Sequence, residues 1–288
     1  MHSDLCGPMP SKSHGGASYF LTFIDDATRH VWVYAMKSKD ETFSCFKKFL
    51  SSVETQSEHK LKALRSDNGG EYISKEFSDF CSSRGIKREF TAPYTPAQNG
   101  VAERMNRTIQ ERIMSMLSQA NLPPAFWAEA LYTDVYLINR SPHASLQFCI
   151  PLELWSGHKL SYEKLRTFGC EAYAHVPKEL RAKLDPKSRK CIFIGYGVDG
   201  HFGYRLWDPE SRSVFRSSDV VFNETKMHRQ PMKEVEFRKV TFFDVSPPIQ
   251  IAPEPIDTQA STSSVQPRRS ERSHVRQNGL FLAWILYC

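Results

Sequence analysis

Two β-rich runs joined by a short polar turn constrain this chain most. Ser18 to Ile24 and His30 to Met36 are dense in aromatic and β-branched residues, with Gly15-Gly16 before the first and Asp25-Asp26 between them. Such runs favour strands, and so short a connection makes them an antiparallel hairpin. Helical and extended signals then alternate. Ser38 and Glu41 have the spacing of a capping box. The helix behind them carries Phe43, Phe46, Leu50 and Val53 as an apolar stripe. Leu61 to Arg65 reads as a short strand, Ser74 to Arg84 as a helix with Phe77 and Phe80 inward, and Ile86 to Phe90 as another strand. With a first strand broken at Gly7-Pro8, the order is three strands, helix, strand, helix, strand. That is an α/β core.

Thr91 to Asn99 holds two prolines and no periodicity, so it is a loop. The spacing predicts a helix from Gly100 to Ala120, buried along Val101, Met105, Ile109, Ile113, Met116 and Leu117. Glu103, Asn106, Arg107 and Gln110 fall on its opposite face. A helix over Ala125 to Asn139 puts Phe126, Trp127, Ala130, Leu131, Val135 and Ile138 into a core, and Pro151 to Trp155 makes a short turn. From Leu165 the pattern shifts to short strands at Cys170–Val176, Lys190–Gly195, Tyr204–Trp207, Val214–Arg216 and Val220–Phe222, the rhythm of a small barrel. Beyond Lys226 the chain is rich in Pro, Ser and Thr and is expected to be disordered.

The net charge of +6 suits a nucleic-acid partner. Seven scattered cysteines with no CxxC pair argue against a secreted disulfide framework and for a reducing, intracellular setting, nucleus or cytoplasm. The ten histidines have no cysteines at zinc spacing. The apolar C-terminal stretch from Gly279 to Cys288 is ten residues, half of what a membrane span needs.

Three carboxylates stand in legible surroundings. Asp67 closes an apolar run and opens the turn Asp67-Asn68-Gly69-Gly70-Glu71-Tyr72. Glu103, 35 intervening residues later, opens a helix in Pro93-Tyr94-Thr95-Pro96-Ala97-Gln98-Asn99-Gly100-Val101-Ala102-Glu103-Arg104-Met105-Asn106. Asp4 lies upstream in His2-Ser3-Asp4-Leu5-Cys6-Gly7-Pro8. Each also has a plain structural reading: Asp67 as a turn residue, Glu103 as a helix-start acid, Asp4 as an exposed terminal residue. Yet DNGGEY, PYTPAQNGVAERMNRT and FIDDATRHVWVY together resemble the integrases of copia-type LTR retrotransposons, whose catalytic core carries a D,D-35-E triad. Cut-and-paste transposases share the triad, but these segments match them less well.

That resemblance implies an RNase H-like mixed five-stranded sheet flanked by helices, then an SH3-like β-barrel around FGCEAYAHVP and KCIFIGYG. It implies DNA 3′-end processing and strand transfer, with Asp4, Asp67 and Glu103 holding two Mg²⁺ or Mn²⁺ ions, Asp25 being the rival for the first position. Asn68, Gln98, Asn99, Arg104 and Arg107 become DNA contacts at the core. Lys183, Lys187 and Arg189, within the basic run Lys178 to Lys190, become backbone contacts on the barrel. The expected partners are element-end and target DNA and further copies of the chain, with no membrane. The expected domains are 1–157 (core), 158–225 (barrel) and 226–288 (linker or tail, with the basic cluster Arg268-Arg269-Ser270-Glu271-Arg272). The chain starts close before Asp4 and lacks a His-His-Cys-Cys module, so it is expected to be a polyprotein fragment with a truncated first strand. An inactive remnant that only binds nucleic acid or a partner is the alternative to a live enzyme.

Overall fold

The computed structural model describes residues 1–57, 60–91, 99–197 and 203–227. Five strands, β1 (His2–Cys6), β2 (Tyr19–Ile24), β3 (Val31–Met36), β4 (Ala63–Ser66) and β5 (Lys87–Phe90), form a sheet in the order β3-β2-β1-β4-β5. The hairpin pairs in full register from Tyr19 opposite Met36 to Ile24 opposite Val31. Its turn is closed by Asp25, whose Oδ2 accepts from the Thr28 N–H and hydroxyl at 2.8 Å each. β1 runs antiparallel to β2 and parallel to β4, so the sheet is mixed.

Side chains alternate across a strand, which sends β2 both ways. Leu21 and Phe23 join Met36 under α1 (Thr42–Gln56), with Phe46, Phe49 and Phe77 in the same cluster. α2 (Gly70–Ile73) contributes Tyr72 and α3 (Lys75–Ser83) contributes Phe77 to that layer. Phe20 and Ile24 face the other way, against α4 (Gly100–Ala120) and α5 (Trp127–Ile138). A sheet covered by helices on both sides results. Asp4 lies opposite Thr22, the residue between Phe20 and Ile24, so it faces the α4 layer.

After α6 (Pro151–Ser156), five more strands form a second, all-antiparallel sheet: β6 (Cys170–His175), β7 (Ser188–Tyr196), β8 (Tyr204–Asp208), β9 (Ser213–Ser217) and β10 (Val220–Met227). Their order is β10-β6-β7-β8-β9. Among the described residues no pairing joins β9 to β10, so the sheet is open where the sequence suggested a barrel. The expected tail lies outside the described residues beyond Met227.

This sheet docks on α5. Arg205 on β8 grips Glu129 through two bonds, Nε to Oε2 at 2.8 Å and a terminal nitrogen to Oε1 at 2.6 Å, with both side chains largely buried. The Thr133 hydroxyl reaches the Ile194 carbonyl at 3.3 Å, and Tyr136 stacks on Tyr196 with ring centres 3.8 Å apart. Two glycines permit the approach. A Cβ at Gly195 (φ +149°) would lie 2.7 Å from Thr133 Oγ1, and one at Gly169 (φ +82°) would collide with Ala120. All these contacts belong to one compact unit, Met1–Ser246.

Candidate active site

The three expected carboxylates arrive from three elements. Asp4 sits in β1, Asp67 just past the end of β4, and Glu103 in the first turn of α4. Asp67 turns the chain, its Oδ1 accepting from the Gly69 N–H at 3.0 Å. A Cβ at Gly69 would lie within about 3 Å of the carboxylates of Glu71 and Asp67, so a larger residue there would push those side chains aside. Asn68 is exposed and donates to the Thr91 carbonyl at 2.8 Å, pinning the turn to the end of β5.

Asp4 is the electrostatic centre. Burial first, then the charge of Asp67, and further that of Glu103, push its carboxyl up to about 6, while a hydrogen bond from Asn106 pulls the other way. That bond runs from Asn106 Nδ2 to Asp4 Oδ2 at 2.9 Å. Asn106 is itself buried, with its Oδ1 unpartnered among the described residues. One turn on, the Gln110 amide donates to Cys6 Sγ at 2.7 Å. Behind Asp4, the Ser3 hydroxyl meets the Tyr72 hydroxyl at 2.8 Å, within a fully buried aromatic layer.

The sign of the stability effect follows. A carboxyl whose folded value lies above its ordinary 3.8 carries no penalty below that value. Its cost grows as pH rises towards about 6 and is complete above it. The shift corresponds to roughly 3 kcal/mol. Asp4→Asn, which keeps an acceptor for Asn106, is therefore expected to stabilise the chelator-treated protein by about that amount at pH 7 to 8 and by little at pH 4. Urea unfolding at the two pH values checks this; equal stability of both proteins at pH 8 contradicts it.

The site was expected to use the outer face of α4. The buried ridge instead runs through Ala102, Asn106, Ile109, Ile113, Met116 and Ala120, while Val101 and Met105 are only half-buried. Asn106 thus lies under the sheet and not in solvent. Its signal in the sequence was its place three residues after Glu103, one helical rung on. Asn99 is also buried, and its amide donates to the Ser3 carbonyl at 3.3 Å, tying the start of α4 to β1. Gln98 lies outside the described residues. Arg104 and Arg107 are exposed, Arg107 pairing with Glu111 at 3.0 Å. In the connection between β6 and β7 Lys183 and Lys187 are exposed, and on β7 Arg189 reaches Asp208 at 3.4 Å and lies over the Phe215 ring. Asp25 is occupied by its own turn.

Hard oxygen donors of like charge, one of them destabilised by its neighbours, fit a divalent cation such as Mg²⁺ or Mn²⁺. As they stand, no three His, Cys, Asp or Glu side chains among the described residues are arranged to enclose an ion. No helix among those residues is long and apolar enough to cross a membrane.

Comparison with known proteins adds the family. Residues 1–96 and 84–151 match models described as integrase core domain, and residues 170–236 match a retroviral polymerase SH3-like domain. A retrovirus-related Pol polyprotein from transposon TNT 1-94 of Nicotiana tabacum is 59% identical over 227 residues, 79% of this chain and 17% of that protein. Those from transposons RE1 and RE2 of Arabidopsis thaliana are 36% and 37% identical over 215 residues, 75% of this chain and 14% and 15% of theirs. The chain thus spans less than a fifth of these curated relatives. Among solved structures, a simian T-cell lymphotropic virus intasome in complex with PP2A regulatory subunit B56 gamma has 17% identity and a TM-score of 0.45, covering 76% of each chain. The catalytic core domain of BIV integrase has 16% identity and a TM-score of 0.40, covering 54% of this chain and 91% of that one.

Proposed function

We infer the function from one premise: this chain belongs to the integrase cores of retrovirus-related Pol polyproteins from transposons. On that premise it acts as a copia-type integrase core, trimming the ends of element DNA and joining their 3′-hydroxyls to target DNA. The observation that carries the reading is the convergence of charge on Asp4 from Asp67 and Glu103.

Asp4, Asp67 and Glu103 would hold two Mg²⁺ or Mn²⁺ ions. Held by these carboxylates, such ions would supply Lewis-acid stabilisation of charge on an attacking and a leaving oxygen. The protein's own part is placement. Asn106 donates to Asp4 Oδ2 and so orients that carboxylate. The Asp67 turn is held from both sides, by Gly69 and by Asn68 on Thr91. Glu103 is exposed in the first turn of α4 and would turn inward to complete the ligand set. Asn68, Gln98, Asn99, Arg104 and Arg107 are assigned to DNA at the core, Asn99 through the backbone it positions. Lys183, Lys187 and Arg189 are assigned to DNA at the second sheet.

The domains on this reading are 1–157, 158–225 and 226–288, and the working form is a homo-oligomer on DNA. A reducing intracellular compartment, nucleus or cytoplasm, agrees with the six described cysteines, all of them free thiols. The second reading is an inactive remnant that binds nucleic acid without chemistry. It is favoured by the absence, among the described residues, of three acids already closed around one point.

An oligonucleotide assay separates the two. Purified protein with Mn²⁺ and a duplex ending in CA is expected to nick or join the DNA, and a chelator is expected to stop it. Binding without nicking at any Mn²⁺ concentration supports the remnant.

A further inference from the structure

One polar stripe of α4 faces the carboxylate side of β1. Asn99, Glu103, Asn106 and Gln110 follow one another at steps of four, three and four, so they line one side of the helix. On β1, Asp4 and Cys6 both point to the α4 layer, opposite Thr22 and Phe20 of β2. Three carboxamides of the stripe are bonded to β1. Asn99 donates to the Ser3 carbonyl at 3.3 Å, Asn106 to Asp4 Oδ2 at 2.9 Å and Gln110 to Cys6 Sγ at 2.7 Å. Glu103 is the remaining member of the stripe, exposed and set between Asn99 and Asn106.

These anchors give α4 one axial register on β1. A helix rises about 1.5 Å per residue, so a slip of one residue would carry Glu103 about that far along the strand. Mg²⁺ takes oxygen ligands at about 2.1 Å in near-ideal octahedral geometry and does not tolerate such a displacement. The anchors differ in what they grip. Asn99 bonds the main chain at the very start of the helix, and Asn106 bonds a carboxylate of the site itself. Gln110 is bonded to Cys6, which is neither main chain nor a site carboxylate. Both side chains of this link are half-buried, and it lies about two turns beyond Glu103. Its loss would loosen the register while leaving the ligands themselves untouched.

We propose that Gln110 is a positioning residue: through Cys6 it holds α4 in the register that lets Glu103 turn in beside Asp4. This role rests on the integrase reading, under which the three carboxylates hold the ions. The amide and the thiol take no part in the chemistry. They act on the affinity of the site, as partners beyond the ligands do elsewhere, by about 10–100-fold.

The test is Mn²⁺ binding to the full chain, read from the electron paramagnetic resonance of the free ion, with urea unfolding run on each protein. Gln110→Met keeps the side chain's length without its donor and is expected to weaken Mn²⁺ binding by about tenfold. Cys6→Ala is expected to do the same. The double variant should be no weaker than either single one, because the same link is lost in all three. Cys6→Ser keeps an acceptor for the amide and is expected to bind Mn²⁺ as wild type does. Nicking should shift in its Mn²⁺ requirement and return to the wild-type rate at saturating Mn²⁺. Folded Gln110→Met that binds Mn²⁺ as tightly as wild type overturns the proposal, even where its urea midpoint falls, since the bond is then structural only. So do additive losses in the double variant, which separate Gln110 from Cys6. Should Gln110→Met fail to fold, Cys6→Ala against Cys6→Ser decides, and equal affinities overturn the link. Wild-type protein that binds no Mn²⁺ removes the metal-dependent integrase reading and this role with it. Wild-type binding that the variants leave unchanged removes this role alone.

Discussion

Asp67→Asn is expected to abolish Mn²⁺-dependent nicking and joining while leaving the fold and duplex binding in place. The substitution keeps an oxygen to accept from the Gly69 N–H, so the turn survives. It removes the charge that, with Asp4, would draw the cations in. Metal ligation supplies several kcal/mol of transition-state stabilisation, and each 1.36 kcal/mol is tenfold in rate, so the loss is on the order of 10³-fold. Unfolding curves for the variant should match wild type or lie slightly higher, since the charge it loses is one that disfavours ionised Asp4. Activity surviving the change at more than a tenth of wild type would remove Asp67 from the mechanism.

Glu129→Ala is expected to have the largest effect on stability, about 3–5 kcal/mol, because it leaves Arg205 charged in a largely buried setting with both bidentate bonds gone. The pair joins α5 to β8, so the damage falls on the docking of the second sheet. A loss that size moves the urea midpoint by about a molar or more. Replacing both partners, Glu129→Met with Arg205→Met, should recover most of the loss, since a well-packed apolar pair of similar volume is often as stable as the ion pair. A single variant within about 1 kcal/mol of wild type would show that Arg205 is stabilised by other groups.

How much of this was legible depends on the kind of signal. The first sheet was readable because β2 and β3 are runs of aromatic and β-branched residues around a turn that Asp25 closes. α1 was readable from its cap and its phenylalanines. α4 was misread at its start. A stripe taken at strict steps of four from Val101 drifts by 40° at each step, whereas the true ridge alternates threes and fours through Ala102 and Asn106. A small residue and an amide carry no hydropathic mark, yet they are buried there because β1 passes over them. The docking of the second sheet had no local trace. Glu129 and Arg205 are 76 positions apart, and nothing in the sequence marks Gly169, or Gly195 at the end of its expected strand, as the places where Ala120 and Thr133 approach. The carboxylates could be located from motifs, but only the folded chain reveals Asn106 as the donor to Asp4.

The most direct measurement is anomalous diffraction from crystals soaked in Mn²⁺. The account predicts two peaks, roughly 4 Å apart as in two-metal sites, between the carboxylates of Asp4, Asp67 and Glu103, with the Glu103 side chain turned inward. Both should be absent from Asp67→Asn crystals. A soaked wild-type crystal that diffracts well and shows no manganese between Asp4 and Asp67 would contradict it.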